Sequence, residues 1–265
     1  MKPLVACLFA LAFVPAAHAA CTGSSGEAIA PLVELYTSEG CSDCPAADAW
    51  MSKLSKEAPP GTASFLAFHV TYWDGIGWHD RFGLASSDQR QELRVRLSGK
   101  RTTFTPQVMV GRETTLDWRG RRDTGGASRN ALAAIRDLQQ RHATTALSLQ
   151  AQAGGDAVEV SLSARRDAAE GEAWVWLALY EDGLRSEVKA GENEGMELHH
   201  DRVVRALAGP WRMRGAALAQ RIELPFPEGL DPGRAGLVLF AESAADASPL
   251  QSLQQRLSDC LVPAG

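Results

Sequence analysis

The sequence predicts an α/β domain followed by a β-rich, sandwich-like one, and three observations carry that prediction. Residues 28–142 alternate strand-like and helix-like runs, whereas residues 144–243 hold short alternating runs separated by glycine turns. Between the first strand-like run and the first helix-like run stands a Cys-x-x-Cys, Cys41-Ser-Asp-Cys44. At 265 residues the chain is long enough for two domains and a substantial core. Its net charge of −5 gives no pointer to nucleic acid or to an anionic membrane. The basic cluster Arg119, Arg121 and Arg122 reads as a solvated loop.

The elements follow in order. Pro31 to Thr37 alternates apolar and polar β-prone residues, as a half-buried strand does. Pro45 then opens a helix to about residue 57, with Trp50, Met51 and Leu54 on one face. Proline suits a first turn, because the amide it lacks has no intrahelical partner there. Ser64 to Thr71 is almost continuously apolar, the mark of a strand covered on both faces. The segment Tyr72 to Arg81 is aromatic, glycine-rich and without period. Its Tyr72, Trp73, Asp74, Trp78 and His79 follow a strand end on the cysteine edge of the sheet, either as a peptide-docking loop or as a loop whose tryptophans pack on the second domain. A helix over 85–97, a hairpin of Gln107–Val110 with Glu113–Trp118, and a helix over 127–142 complete this half.

Strand, helix, strand, helix, antiparallel hairpin and helix is the order of a thioredoxin fold, so residues 28–142 are expected to be a thioredoxin-like α/β domain. Pro106 precedes the hairpin where such folds carry a cis proline facing the cysteines, and a cis bond is only modestly costly before proline. Thr105 there presents its backbone to an incoming peptide. Strands are expected over 144–151, 157–164, 173–180 and 236–241, making 144–243 a β-sandwich-like domain. Residues 244–265 are expected to form a C-terminal helix, over 249–257, and a tail carrying Cys260.

A helix N-terminus stabilises a thiolate through its dipole and free amides. By analogy with the thioredoxin fold, Cys41 is expected to be the more exposed, attacking cysteine and Cys44 the resolving one. A purely structural bridge is the alternative, since Asp43 adds negative charge that opposes a low thiolate pKa. Glu34 and Asp48 are candidates to move protons to a buried Cys44. A metal site of both sulfurs with His69 or His79 lacks a second closely spaced ligand pair, and His199-His200-Asp201 reads as an unligated loop whose neighbours point apart. No metal and no cofactor are called for.

Residues 1–19 have the positive start, short apolar run and Ala17-His-Ala19 site of an export signal. A lipoprotein anchored at Cys21 is the weaker alternative, because His18 stands where such signals carry an aliphatic residue. Cleavage removes Cys7 and leaves four of the five cysteines, with three possible connectivities. Pairing Cys41 with Cys44 leaves Cys21 and Cys260, which either form a structural disulfide or stay free. The expected location is periplasmic or secreted, with no later segment near membrane-spanning length. Expected partners are exported cysteine-containing proteins or a redox partner protein.

Four stretches resemble a known family. They are Val33-Glu-Leu-Tyr-Thr-Ser-Glu-Gly-Cys-Ser-Asp-Cys-Pro45, His69 to Trp78, Thr105-Pro-Gln-Val-Met-Val-Gly-Arg112, and Gly191-Glu-Asn-Glu-Gly195 followed by Val203-Val204-Arg205. Together they are similar to the bacterial secreted proteins grouped as domain of unknown function 1223 (DUF1223). The resemblance implies a thioredoxin-like N-terminal domain and a β-rich C-terminal one, and implies little about substrate. The chain departs from thioredoxin itself, with Gly40 in place of the usual tryptophan and Ser42-Asp43 between the cysteines. The expected function is a periplasmic thiol–disulfide oxidoreductase or isomerase-like protein, with Cys41 and Cys44 catalytic and Thr105, Pro106, Tyr72 and Trp73 binding substrate. The alternatives are a non-catalytic binding or structural protein with a locked Cys41–Cys44 bridge and, third, a copper-handling protein.

Overall fold

The computed structural model describes residues 20–115, 126–167 and 171–261. The expected leader over 1–19, the arginine cluster at 119–122 and residues 116–118 of the hairpin lie outside the described residues. The chain is β-rich with three α-helices among the described residues. In order come β1 (Cys21–Ser24), β2 (Leu32–Thr37), α1 (Cys44–Glu57), β3 (Ser64–His69), α2 (Ala85–Leu97), β4 (Gln107–Val110), β5 (Glu113–Thr115) and α3 (Gly126–Gln139). The rest is strand: β6 (Thr145–Gly154), β7 (Ala157–Arg166), β8 (Ala173–Glu181), β9 (Leu184–Glu187), β10 (Glu197–His200), β11 (Val203–Met213), β12 (Ala217–Pro225), β13 (Ala235–Ser243) and β14 (Pro249–Arg256).

The expected break between residues 142 and 144 does not separate two sheets. An eight-stranded sheet runs β14-β13-β8-β11-β3-β2-β4-β5, so strands from both halves share it. The join is the parallel contact of β11 with β3 at Val203 and Ala67. A second sheet, β1-β6-β7-β12, lies over the β14-β13-β8-β11 part and makes the sandwich, and β9 with β10 forms a separate hairpin.

Alternation along the strands shows how one sheet serves two cores. On β8, Val175, Leu177 and Leu179 face the sandwich core, while Trp176, Ala178 and Tyr180 face a second core that also takes Tyr36, Phe68 and Val95. Helices α1 and α3 cover the opposite face of β2, β3 and β4, where Val33, Leu35, Met51, Leu54, Val108 and Ile135 pack. At about 25 cal/mol per Å² of apolar surface removed from water, these three clusters supply the main drive to fold.

Two expectations are corrected here. β2 is buried along its whole length and not on one face only. Its polar Glu34 is matched: Arg90 Nε lies 2.6 Å from Glu34 Oε1 and Arg94 Nε 2.8 Å from Oε2. Both arginines also reach Glu242 on β13, at 3.2 and 3.4 Å, so one buried ion network of α2 spans both parts of the large sheet. Burial pushes the Glu34 carboxyl upward, but the two guanidinium groups outweigh it and hold it below the usual carboxylate range.

The second correction is the expected C-terminal helix over 249–257, which is β14 followed by a short 3-10 turn, Leu257–Cys260. Leu250, Leu253 and Leu257 stand at helix-like spacing, yet β13 offers an open edge and β14 pairs along it. The polar residues of β14 complete the choice. Gln251 Oε1 accepts the Ala30 amide at 2.8 Å, and Ser252 Oγ donates to Ala30 O at 2.7 Å. A helix would forfeit these bonds.

Candidate functional site

Helix α1 starts at Cys44, with Pro45 in the first turn and Asp43 at the N-cap without a capping side-chain bond. The preceding loop turns tightly, with the Cys41 amide donating to Ser38 O and the Cys44 amide to Cys41 O. The turn brings the two sulfurs into a disulfide, Cα atoms 5.4 Å apart. The Thr105–Pro106 bond is cis, as expected, at the start of β4. β4 pairs antiparallel with β2, whose Tyr36 lies opposite Gln107, so Thr105 and Pro106 stand beside the strand end that leads into the cysteines.

Both cysteines are buried: Cys41, expected to be the more exposed of the two, is 2% exposed, and Cys44 is fully buried. Two loops cover them. Gly191 to Gly195, between β9 and β10, lays Asn193 over the turn, and its Nδ2 donates to Glu39 O at 2.8 Å and Cys41 O at 3.0 Å. The neighbouring Glu192 Oε2 accepts the Ser42 amide at 3.0 Å. The second loop is the aromatic segment. Trp73 Nε1 donates to Thr105 Oγ1 at 2.6 Å, and Trp73 lies so close to Gly40 that a Cβ there would sit 3.3 Å from its own. Glycine at position 40 thus makes room for Trp73. The two loops meet at Gly77 and Gly191, both with positive φ, and a Cβ on Gly191 would stand 3.3 Å from Trp78 Cβ.

The other expected site residues divide. Tyr72 is largely exposed, and its hydroxyl donates to Gln91 Oε1 at 3.2 Å. Gln91 Nε2 in turn donates to the carbonyl of exposed Phe104, beside Thr105. Trp78 Nε1 donates to Glu39 Oε2 at 2.7 Å. His79 stays at the surface against Asp74, at 2.8 Å. Glu34 belongs to the arginine network and not to the cysteine site. Asp48, one turn after Cys44 on α1, is buried and accepts the Thr37 hydroxyl at 3.2 Å.

Beneath the cysteine turn, Asp48, His69 and His200, weighed separately in the sequence, come together with Glu39 and Asp80, which the sequence did not single out, in one buried group. His69 Nδ1 is 2.7 Å from Asp80 Oδ2, and Asp80 is itself held by the amides of Glu39 and Phe82. His200 Nε2 is 3.3 Å from Glu39 Oε1, and its Nδ1 is 3.5 Å from Asp48 Oδ2. Burial lowers the His200 pKa, but Asp48 and Glu39 outweigh it and push it up to about 10. Burial likewise raises Glu39 and Asp80, and the facing imidazoles return both below the usual range. His199-His200-Asp201 is not a loop, since His199 and His200 end β10 with His199 outward and His200 inward; Asp201 binds Lys56 at 2.9 Å. The sequence signal was present in the expectation that neighbours point apart, but not which neighbour turned inward.

Cys21 and Cys260 also form a disulfide, with Cα atoms 4.7 Å apart. It joins β1 of the four-stranded sheet to the turn after β14 of the large sheet, so it staples the two layers of the sandwich within that core.

No helix among the described residues is long and apolar enough to cross a membrane. Solved structures share the fold, among them the following two. The crystal structure of protein AGR_C_4864 from Agrobacterium tumefaciens is 22% identical, with a TM-score of 0.61 over 91% of this chain and 100% of that one. HBP35 of Porphyromonas gingivalis is 12% identical, with a TM-score of 0.64 over 91% of this chain and 79% of that one. No curated protein sequence matches the chain. The family described as "Protein of unknown function (DUF1223)" matches residues 32–242, which include both cysteines, Pro106 and the Gly191–Gly195 loop, and the chain belongs to that family.

Proposed function

We propose that the protein is an exported, thioredoxin-like thiol–disulfide oxidoreductase acting through Cys41 and Cys44. The observation that carries this reading is the Cys41–Cys44 bridge at the N-terminus of α1, where helix amides and dipole stabilise a thiolate. In the reduced form, the Cys41 thiolate attacks a substrate disulfide, forming a mixed disulfide and releasing one substrate thiolate. Cys44 then attacks the Cys41 sulfur, which re-forms the 41–44 bridge and releases the second substrate thiolate. The enzyme dithiol loses two electrons and the substrate disulfide gains them; the reverse sequence oxidises a substrate dithiol. Tyr72 and Phe104, exposed and joined through Gln91, offer an apolar rim for a polypeptide next to Thr105. Export fits two disulfides in one chain, since such bonds persist in oxidising compartments.

Because the bridge is buried, exchange requires the Gly191–Gly195 loop to move away. The same burial favours a second reading, a binding or structural protein with a locked bridge. Insulin reduction separates the two. The oxidoreductase reading expects turnover by wild type with a thiol reductant and none by Cys41→Ser; equal rates for the two proteins contradict it.

A further inference from the structure

We propose that Asp48, His69 and His200 form a binding site for a divalent first-row transition-metal cation, separate from the cysteine pair. This inference does not depend on the redox reading. The three residues come from α1, β3 and β10, are 5%, 0% and 2% exposed, and each offers a donor atom within 4.8 Å of the other two. Metal bonds of about 2.1 Å in a tetrahedral site put ligand atoms about 3.4 Å apart. Asp48 and His200 already stand at 3.5 Å, so His69 is the ligand that has to draw in.

What points to a ligand is the state of the donors. His69 Nδ1 is engaged by Asp80, which leaves Nε2 as the free donor, and that atom is buried without a hydrogen-bond partner. Both nitrogens of His200 are buried too and are held only by long ion-pair contacts, 3.3 Å to Glu39 Oε1 and 3.5 Å to Asp48 Oδ2. Buried polar atoms left this way call for an ion or water.

The surroundings match a ligand shell. Metal-bound histidines commonly hold a carboxylate on the nitrogen away from the metal, which orients the ring and raises its basicity. Here Asp80 stands on His69 Nδ1 and Glu39 faces His200 Nε2. These carboxylates are themselves held, Glu39 by Trp78 and Asp80 by two backbone amides. Thr37 fixes Asp48, and Phe82 packs edge-on against both imidazole rings at 5.5 and 5.9 Å. Three carboxylates and the His200 imidazolium carry a charge of −2, and a dication that displaces the His200 proton brings the group to −1. Two imidazoles and one carboxylate suit zinc or ferrous iron, and three protein donors leave a coordination position for water. A surface cleft of about 700 Å³ between α1 and the β9–β10 hairpin, lined by Ser52, Lys56, Arg185 and Asp201, has His200 in its lining.

The test uses the full oxidised chain, stripped with chelator and titrated with Zn²⁺ against a chromophoric competitor. Saturable binding of one equivalent is expected, weakened about 100-fold in His200→Gln, about 10–100-fold in the outer-shell variant Glu39→Gln, and unchanged in His199→Ala. X-ray absorption of the Zn²⁺-loaded wild type needs no variant to fold. It should show nitrogen and oxygen neighbours with histidine outer-shell scattering. No saturable binding, a sulfur neighbour near 2.3 Å, or affinity that survives His200→Gln in a folded variant would each overturn the site.

Discussion

Replacing Asn193 by alanine tests whether the Gly191–Gly195 loop guards the bridge. The amide Nδ2 donates to two carbonyls of the cysteine turn, Glu39 O at 2.8 Å and Cys41 O at 3.0 Å, in a side chain only 3% exposed. A net hydrogen bond contributes about 0.5–1.5 kcal/mol, so both together make about 1–3 kcal/mol. That energy is absent from the closed state of Asn193→Ala, whereas in the open state water already solvates both carbonyls. Opening therefore becomes easier by that amount, and at 1.4 kcal/mol per tenfold it exposes the bridge about 5–150 times more often. The assay is the rate of Cys41–Cys44 reduction by a small thiol under native conditions, read by alkylation and mass spectrometry. Glu194→Ala, an exposed change in the same loop, serves as the control and should leave the rate alone. An unchanged rate in a folded Asn193→Ala would show that this loop is not the barrier to reagent.

Three further predictions concern stability, each read by denaturant unfolding. Glu34→Gln leaves Arg90 and Arg94 short of a buried counter-charge and should cost about 3–5 kcal/mol near neutral pH. Because the Glu34 carboxyl is held below its unfolded value, its contribution is complete above the ordinary Glu pKa of about 4.3 and is lost as pH falls through the folded value. The gap between wild type and Glu34→Gln should therefore close below about pH 4, and a gap that widens there contradicts the assignment. The pair Cys21→Ser with Cys260→Ser opens a bridge of sequence separation 239 and should cost up to about 5 kcal/mol, with strand pairing in the α/β half retained. Gly236 lies opposite Tyr180 across β13 and β8, and a Cβ there would overlap the Tyr180 ring. Gly236→Ala should therefore cost about 1–3 kcal/mol, and a variant as stable as wild type would show that the ring moves freely.

Local pattern made much of this fold legible. Strands β3, β6, β7, β8 and β13 appear where the residue pattern places them, because each buries its own apolar residues, whereas α2, also in its expected place, turns mostly polar residues inward: Ser87, Arg90, Gln91 and Arg94 beside Val95. What local pattern does not carry is pairing at a distance. β14 reads as helical until β13 and the Ala30 backbone are placed beside it, and β2 reads as half-exposed until Arg90 and Arg94, some 56 and more residues on, neutralise Glu34. The candidate site divides in the same way. Cys41, Cys44 and Pro106 are visible through spacing and residue type. Asn193 and His200, in contrast, reach the cysteine turn from about 150 residues away. No composition or period marks which of His199 and His200 turns inward.

The central claim, a bridge that exchanges electrons with polypeptide thiols, is tested most directly by redox titration of Cys41–Cys44 in glutathione and dithiothreitol buffers. The account predicts a midpoint between about −270 mV, the value of thioredoxin, and about −120 mV, that of a strong periplasmic oxidant. A midpoint below about −300 mV would mean a bridge that resists physiological thiols, and would contradict the account in favour of a structural disulfide.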